Sequence, residues 1–527
     1  MTGARRRLPD PADLSDADLA AQLVCVPLRG HAGDAEEREG FLAGLERCGW
    51  GGVIVFGGDL EAVADLLAEA RVRVPIPPLA TGDFERGIGQ QFPAAGTAFP
   101  PLMALGAAGD TSLARSAGEA IGRELRAAGF HVDFWPVADL ANEPSNPIVS
   151  SRAAAGDPDV AARIVEAVVE GLQAAGIAAT LKHFPGHGRT TVDSHETLPV
   201  VEADRARILA EAEPFRSGIA AEAKVAMTAH VAYPLLEPDG ARDRPATFSR
   251  AIVTDLLRGE LGFDGLVCTD ALMMGAVAGE SPGEAAVRAL EAGVDWLLYP
   301  DDPAAVREGV VAALGEGSLE RALVEASVAR LFALKAWAGC GKAPPSSPAA
   351  TSSPLAETVA AEALTARPPD PPAGEEWPDR ARWIVVLDGG IEPEEIVLME
   401  ELEAGAADRL VVVDAAGDPG IPSPRVEEVR AACAGTVVAC AVFNPVRAWK
   451  GRAGLSDPAR GIVDAACRPA EEAVLILFSD PRIVSEVHAP PRVVWAYGED
   501  AASQRAVVAF LRGERPARGT LPVRVAD

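Results

Sequence analysis

The sequence predicts an α/β protein in two parts, a (β/α)8 TIM-type barrel followed by a smaller α/β sandwich domain with a mostly parallel sheet. Three observations lead there. From Leu23 to Leu334, eight short apolar runs alternate with longer Ala-rich stretches of helical spacing. Over 339–380 the composition turns to Pro, Ser, Ala and Thr (KAPPSSPAATSSP, then RPPDPPAGEEWPD), as in an extended linker. Five nearly continuous apolar runs follow, the pattern of parallel strands covered on both faces. The expected division is a catalytic barrel over 1–338, a Pro-rich linker over 339–380 and a C-terminal domain over 381–527.

The eight barrel strands are expected at 24–28, 52–56, 78–82, 131–135, 178–182, 224–228, 265–269 and 295–299. Eight strands in about 310 residues is the size of a (β/α)8 barrel with insertions. The intervening helices are amphipathic. Over 158–175, Val160, Ile164, Val165, Val168, Val169 and Leu172 recur at helical spacing, with Asp157 as N-cap, Pro158 in the first turn and Gly176 as the stop. The linker holds one expected helix, 355–365. Beyond it, RWIVVLD, RLVVVDAAG, TVVACAVF, AVLILF and RVVWAYG read as the strands of the second sheet.

Composition narrows the function. The 527 residues carry 48 Lys+Arg against 77 Asp+Glu, a net charge of −29. That balance opposes binding to phosphate backbones and anionic membranes. No apolar run reaches the roughly 18–20 residues that span a bilayer. The N-terminus, MTGARRRLPDPADLSD, has no apolar stretch behind its arginines, so no secretory signal is expected. Seven scattered cysteines without a CxxC pair argue against a disulfide framework and a structural zinc site. The expected location is the cytoplasm.

In such a barrel, reactive groups stand where strands end at the C-terminal face. Six of the eight strand ends offer ionisable residues there: Asp83 with Glu85, Asp139, Lys182 with His183, His230, Asp270 and Asp301. The densest stretch runs from Lys182 to His195, where three of the seven histidines fall. Asp193 two residues before His195 lets a carboxylate accept an imidazole N–H and favour the protonated ring, the equipment of a general acid/base. The competing reading is a metal site on His183, His187 and His195. Pro185 and Gly186 break the helix that an HxxxH pair would need. In the second stretch, a helix ending at Gly262 leads through a short strand to Asp270, with Met273 and Met274 as apolar walls. Asp270 there can attack an electrophilic carbon or steady a developing cation; the plainer reading is a helix N-cap.

Together KHFPGHGRTTVDSHETLPVV, AMTAHVAYPLLEPD and PATFSRAIVTDLLRGELGFDGLVCTDALMMGAV resemble glycoside hydrolase family 3, in its β-N-acetylglucosaminidase-type branch. The resemblance spans about Leu23 to Leu334 and extends more weakly to WAYGEDAASQRAVVAFLRGERPARGTLPVRV near the C-terminus. It implies a retaining β-glycosidase that works without a cofactor or metal. Asp270 matches the nucleophile, and His195 with Asp193 matches an Asp–His acid/base dyad on a mobile loop. Asp83, Arg152, Lys182 and His183 match positions that bind sugar hydroxyls, and Met273 is expected to line the sugar site. The chain departs from the pattern at Gln91, where the family has arginine, and at Ala153–Ala155, where it has Ser-Phe-Gly.

The leading expectation is an exo-acting β-N-acetylglucosaminidase on small carbohydrates such as cell-wall fragments. Alternatives within the family are a β-glucosidase and a phosphorylase, since a deprotonated histidine carries no charge to repel phosphate. From other classes stand a sugar-binding protein without turnover and a metal-dependent hydrolase. The C-terminal domain carries no readable catalytic motif and is expected to pack against the barrel.

Overall fold

The computed structural model describes residues 8–29, 32–277, 280–343, 352–371, 381–389, 396–398, 410–415, 426–446 and 451–525. All eight expected barrel strands form: β1 (Val24–Arg29), β2 (Gly52–Phe56), β3 (Leu79–Gly82), β4 (Val132–Asp133), β5 (Ala178–Phe184), β6 (Val225–Thr228), β7 (Leu266–Cys268) and β8 (Leu297–Leu298). Each pairs in parallel with its neighbour, in the order β7-β6-β5-β4-β3-β2-β1-β8. A parallel bridge between Cys268 and Trp296 joins the two outer strands and closes the ring. The lumen is filled by Cys25, Ile54, Leu79, Val132, Phe134, Ala178, Val225, Met227, Cys268, Trp296 and Leu298. Gly52 makes room for Trp296: a β-carbon there would stand 2.2 Å from the indole ring.

Strand lengths depart from expectation. β4 is short, and beyond Pro136 its pairing resumes with a parallel bridge from Val137 to Lys182. β8 ends where Tyr299 takes a left-handed turn (φ 46°) ahead of Pro300. β5 runs two residues further than expected and carries His183 to the barrel rim. The helices follow their sequence signals. Pro158–Ala174 begins under Asp157, whose carboxylate accepts from the Asp159 and Val160 N–H groups, and stops before Gly176 at φ 81°. The helix before β7, Ala251–Glu260, is wound in π form.

The second sheet contains β9 (Thr365–Arg367), β10 (Arg382–Leu387), β11 (Leu410–Asp414), β12 (Val437–Phe443), β13 (Glu472–Phe478) and β14 (Arg492–Trp495), in the order β11-β10-β12-β13-β14-β9. Five strands are parallel, and β9 adds an antiparallel edge against β14. Within 339–380 the expected helix forms and an edge strand follows it. The helix, Ser353–Ala363, lies against helices of both parts. Three residues are too few to show a period of two, so only the open edge of β14 could reveal β9. Residues 344–351 and 372–380 of the expected linker lie outside the described residues.

The two parts are bound by polar contacts. Ser150 Oγ donates to Asp480 Oδ2 at 2.8 Å, and Arg482 Nη1 donates to the Ala141 carbonyl at 3.1 Å. The C-terminal segment returns to the barrel, its Thr520 N–H donating to the Ala107 carbonyl at 3.0 Å. Among the described residues no helix is long and apolar enough to cross a membrane.

Candidate active site

At the C-terminal rim, the chain leaving β3 delivers Asp83 and Glu85, and β5 delivers Lys182. The Lys182 ammonium, almost wholly buried, lies 2.8 Å from Asp83 Oδ1 and 2.7 Å from Glu85 Oε1. Arg152, in the short helical turn Ser150–Arg152, grips the same Glu85 with Nε and Nη2 at 2.9 and 2.7 Å. Burial alone would raise the Glu85 pKa, but Arg152 and Lys182 outweigh it and hold the carboxyl well below the usual range. Burial would likewise lower Lys182, yet Asp83 and Glu85 keep it firmly protonated. The four side chains form a charge-balanced ladder of donors and acceptors, suited to sugar hydroxyls.

A second network begins one layer deeper. Asp139 Oδ2 accepts from His183 Nδ1 at 2.7 Å, and its Oδ1 accepts from the His187 N–H at 2.6 Å. His183 Nε2 is thereby turned toward Asp270, 3.9 Å from Oδ2. The other carboxylate oxygen of Asp270 accepts from the Ala271 N–H at 2.7 Å. Burial pushes the Asp270 pKa up, but His183, His230, the Ala271 N–H and His195 together pull it down to about 2. Asp270 is an ionised carboxylate at neutral pH.

The loop after β5 brings the Asp–His pair. Asp193 Oδ1 accepts from His195 Nδ1 at 2.7 Å and from the His195 N–H at 2.8 Å. This loop is docked on the one that carries Asp270: Gly275 N–H donates to the His195 carbonyl at 3.0 Å, and Ala276 N–H to the Ser194 carbonyl at 3.2 Å. A β-carbon on Gly275 would fall 2.5 Å from the Glu196 carbonyl oxygen and 2.8 Å from that of His195. The contact therefore depends on glycine.

These groups converge on one cavity of about 690 Å3. Asp83, Arg152, Lys182, His183, His195, Asp270 and Met273 line it. Asp193 stands behind His195, and Asp139 and His230 sit behind the wall; His230 Nε2 donates to the Ala271 carbonyl at 3.2 Å. Asp301 is exposed and outside the cavity. His187, which also reaches the wall, exchanges hydrogen bonds with Thr190 and Ser194 through its two ring nitrogens. Among the described residues no three His, Cys, Asp or Glu side chains are grouped so that they could hold a metal ion.

The model described as "Glycosyl hydrolase family 3 N terminal domain" matches residues 21–334. The chain belongs to glycosyl hydrolase family 3. Among its relatives, the β-hexosaminidase of Nitrosospira multiformis is 38% identical over 266 residues, 48% of this chain and 74% of the relative. That of Stenotrophomonas maltophilia is 36% identical over 290 residues, 52% of this chain and 82% of the relative. A family 3 β-N-acetylglucosaminidase from Paenibacillus superposes with a TM-score of 0.83 at 29% identity, covering 97% of this chain and 99% of its own. The chain is thus a glycoside hydrolase with the family's two-domain architecture.

In this family 3 enzyme the departures from the pattern have structural places. The Gln91 amide donates to the Asp83 carbonyl at 3.2 Å and so braces the loop that carries Asp83 and Glu85. Ala153–Ala155 are fully buried, and a β-carbon at Gly106 would press 1.9 Å from the Ala154 carbonyl, so this strip passes through a tight gap. Part of the cavity wall has no signal in the sequence: Arg29 over the Tyr299 ring, Phe56, Phe134, and Glu499, which pairs with Arg86 at 2.6 Å. Glu499 and Val446 come from the second part of the chain. Nothing in their local sequence marks them, since only the docking of the two parts brings them to the barrel.

Proposed function

We propose that the chain is a retaining exo-β-N-acetylglucosaminidase acting through a glycosyl-enzyme on Asp270. One observation carries the reading: Asp270 and His195 line the same cavity, on two loops hydrogen-bonded to each other. A carboxylate held near a pKa of 2 is ionised for attack on the anomeric carbon. As the Asp270 oxygen bonds to that carbon, the glycosidic bond breaks and its oxygen takes a proton from His195 Nε2. In the second step His195 removes a proton from water, the water oxygen bonds to the anomeric carbon, and Asp270 leaves as a carboxylate. Asp193 holds the imidazole by Nδ1 and so fixes its tautomer and orientation. The ladder Asp83–Lys182–Glu85–Arg152, with His183, would bind the hydroxyls of the terminal sugar.

A cavity of about 690 Å3 suits a terminal sugar and a short aglycone rather than a polymer threaded through. The relatives named β-hexosaminidase support the N-acetyl sugar. Seven cysteines, all unpaired, suit a cytoplasmic setting.

Aryl β-glycosides of N-acetylglucosamine, glucose and xylose, assayed with and without phosphate, test the assignment. The N-acetylglucosaminide is expected to turn over fastest, releasing free sugar in both buffers; sugar 1-phosphate as the main product would overturn the hydrolase reading. Asp270→Asn is expected to reduce turnover by about a thousandfold or more with the fold intact by circular dichroism. Undiminished turnover would remove Asp270 from the nucleophile role.

A further inference from the structure

The barrel has a second dent, at the opposite end from the active-site cavity, where β3 and β4 begin. It encloses about 30 Å3 and is walled in part by Arg71, Arg126, His131, Cys340 and Lys342. Arg126 Nη2 and Lys342 Nζ close on one spot: a β-carbon on Gly339 would stand 3.1 Å from the first and 3.7 Å from the second. Arg71 makes one long bond, from Nη1 to the Lys342 carbonyl at 3.4 Å. Among the described residues none of these three cations is paired with a carboxylate. His131 accepts the Ala80 N–H at Nδ1 (3.0 Å), so its ring hydrogen sits on Nε2 and makes that nitrogen a donor. The Cys340 thiol donates to the carbonyls of Pro77 and Pro78 at 3.4 and 3.3 Å, which occupies those acceptors.

The dent is therefore a collection of donors with three positive charges and no counter-charge, in a chain whose net charge is −29. Its basic groups register the unanswered field. Burial, with Arg126, Lys335 and Arg71 nearby, drives His131 down to about 3, and burial lowers Arg126 with no carboxylate to restore it. The plainer account is that the arginines serve helix C-termini, since Leu60–Arg73 and Thr111–Ala127 both end here. Of those carbonyls, that of Ala70 already accepts from the Val74 N–H at 2.9 Å and that of Leu125 from the Phe130 N–H at 3.0 Å, and the side-chain bond of Arg71 goes to the Lys342 carbonyl rather than to its own helix end.

We propose that this dent binds a small tetrahedral oxyanion, either inorganic phosphate or the phosphoryl end of a small phosphomonoester, through Arg126, Lys342, Arg71 and His131 Nε2–H. The space admits one such group and not a sugar ring. Arginine and lysine donors converging on a partly dehydrated spot are the usual means of holding phosphate. The site shares no lining residue with the cavity that holds Asp270.

Isothermal titration of the full chain with sodium phosphate, and in parallel with glycerol 3-phosphate, at ionic strength fixed by sodium chloride, tests it. The expected result is saturable binding of one phosphate. Arg126→Gln and Lys342→Gln should each weaken it roughly tenfold, the worth of one charged hydrogen bond. Arg126→Lys should retain most of the affinity. Binding of both probes assigns the site to a phosphoryl group, and binding of phosphate alone assigns it to the free ion. Equal phosphate affinity in Arg126→Gln and Lys342→Gln would place the ion elsewhere and overturn the proposal. Absence of saturable binding up to tens of millimolar, where ordinary screening dominates, would also overturn it. Lys342 is exposed, so its variant keeps the fold and the test even if Arg126→Gln does not.

Discussion

At Asp270, two opposing effects act on one carboxyl. Burial favours the neutral acid, while His183, His230, the Ala271 N–H and His195 favour the anion and prevail. Removing the largest of the lowering influences should reverse part of this. In His183→Ala the Asp270 pKa should rise, so an acid limb in the pH profile of kcat/KM should move upward toward the ordinary carboxylate range of about 4. An unmoved limb would show that His183 does not govern the charge of Asp270. His195 is tested by leaving group. His195→Ala should cost about 10²–10⁴-fold with poor leaving groups and little with activated aryl groups, which depart without a proton. Equal losses across the series would count against the acid role.

At the level of elements, the geometry rests on two loops rather than on strands. The motif Asp193-x-His195 and the strand tip at Asp270 were both readable as spacing, because each obeys local chemistry. Their meeting was not readable, because it depends on Gly275 N–H reaching the His195 carbonyl from eighty positions away in the chain. Gly275→Ala tests that contact. The added methyl would fall within 2.8 Å of two carbonyl oxygens and push the dyad loop outward. Turnover should drop at least about tenfold through displaced His195, with a melting temperature lowered by only a few degrees, since loop contacts carry little of the global stability. A large loss of stability with full activity in the surviving fold would contradict this.

Across the whole molecule, buried ionisable groups tie stability to pH. His187 is lowered to about 4 and His131 to about 3, burial being the main cause in both. In the unfolded chain these rings take up protons from about pH 6.5 downward, so stability falls as pH drops below that value. Below about pH 4 the depressed carboxyls Glu85, Asp139 and Asp270 add to the loss, since the unfolded state protonates them first. Between pH 7 and pH 4 the raised carboxyls Asp133 and Asp500 act in the opposite sense, because the folded state protonates them first, so the share of one ring is read by comparing the melting temperatures of parent and variant across that interval. His187→Gln should gain on the parent as pH falls, by up to about 3 kcal/mol of unfolding free energy over the interval. An unchanged difference between the two would mean that His187 is not the neutral buried ring described.

The sequence by itself determined the class of both parts, the eight barrel strands and the ionisable residues at their tips, because apolar periodicity, caps and strand-end polarity are local properties. The helix over Pro158–Ala174 and the approach to Asp270 needed nothing beyond their own residues. Only the tertiary structure decided that β9 joins the second sheet, that Glu499 meets Arg86 at the cavity wall and that cations from three segments share one dent. Each of these joins segments far apart in the chain, and such pairings are fixed by packing and charge between surfaces, which no short window of sequence contains.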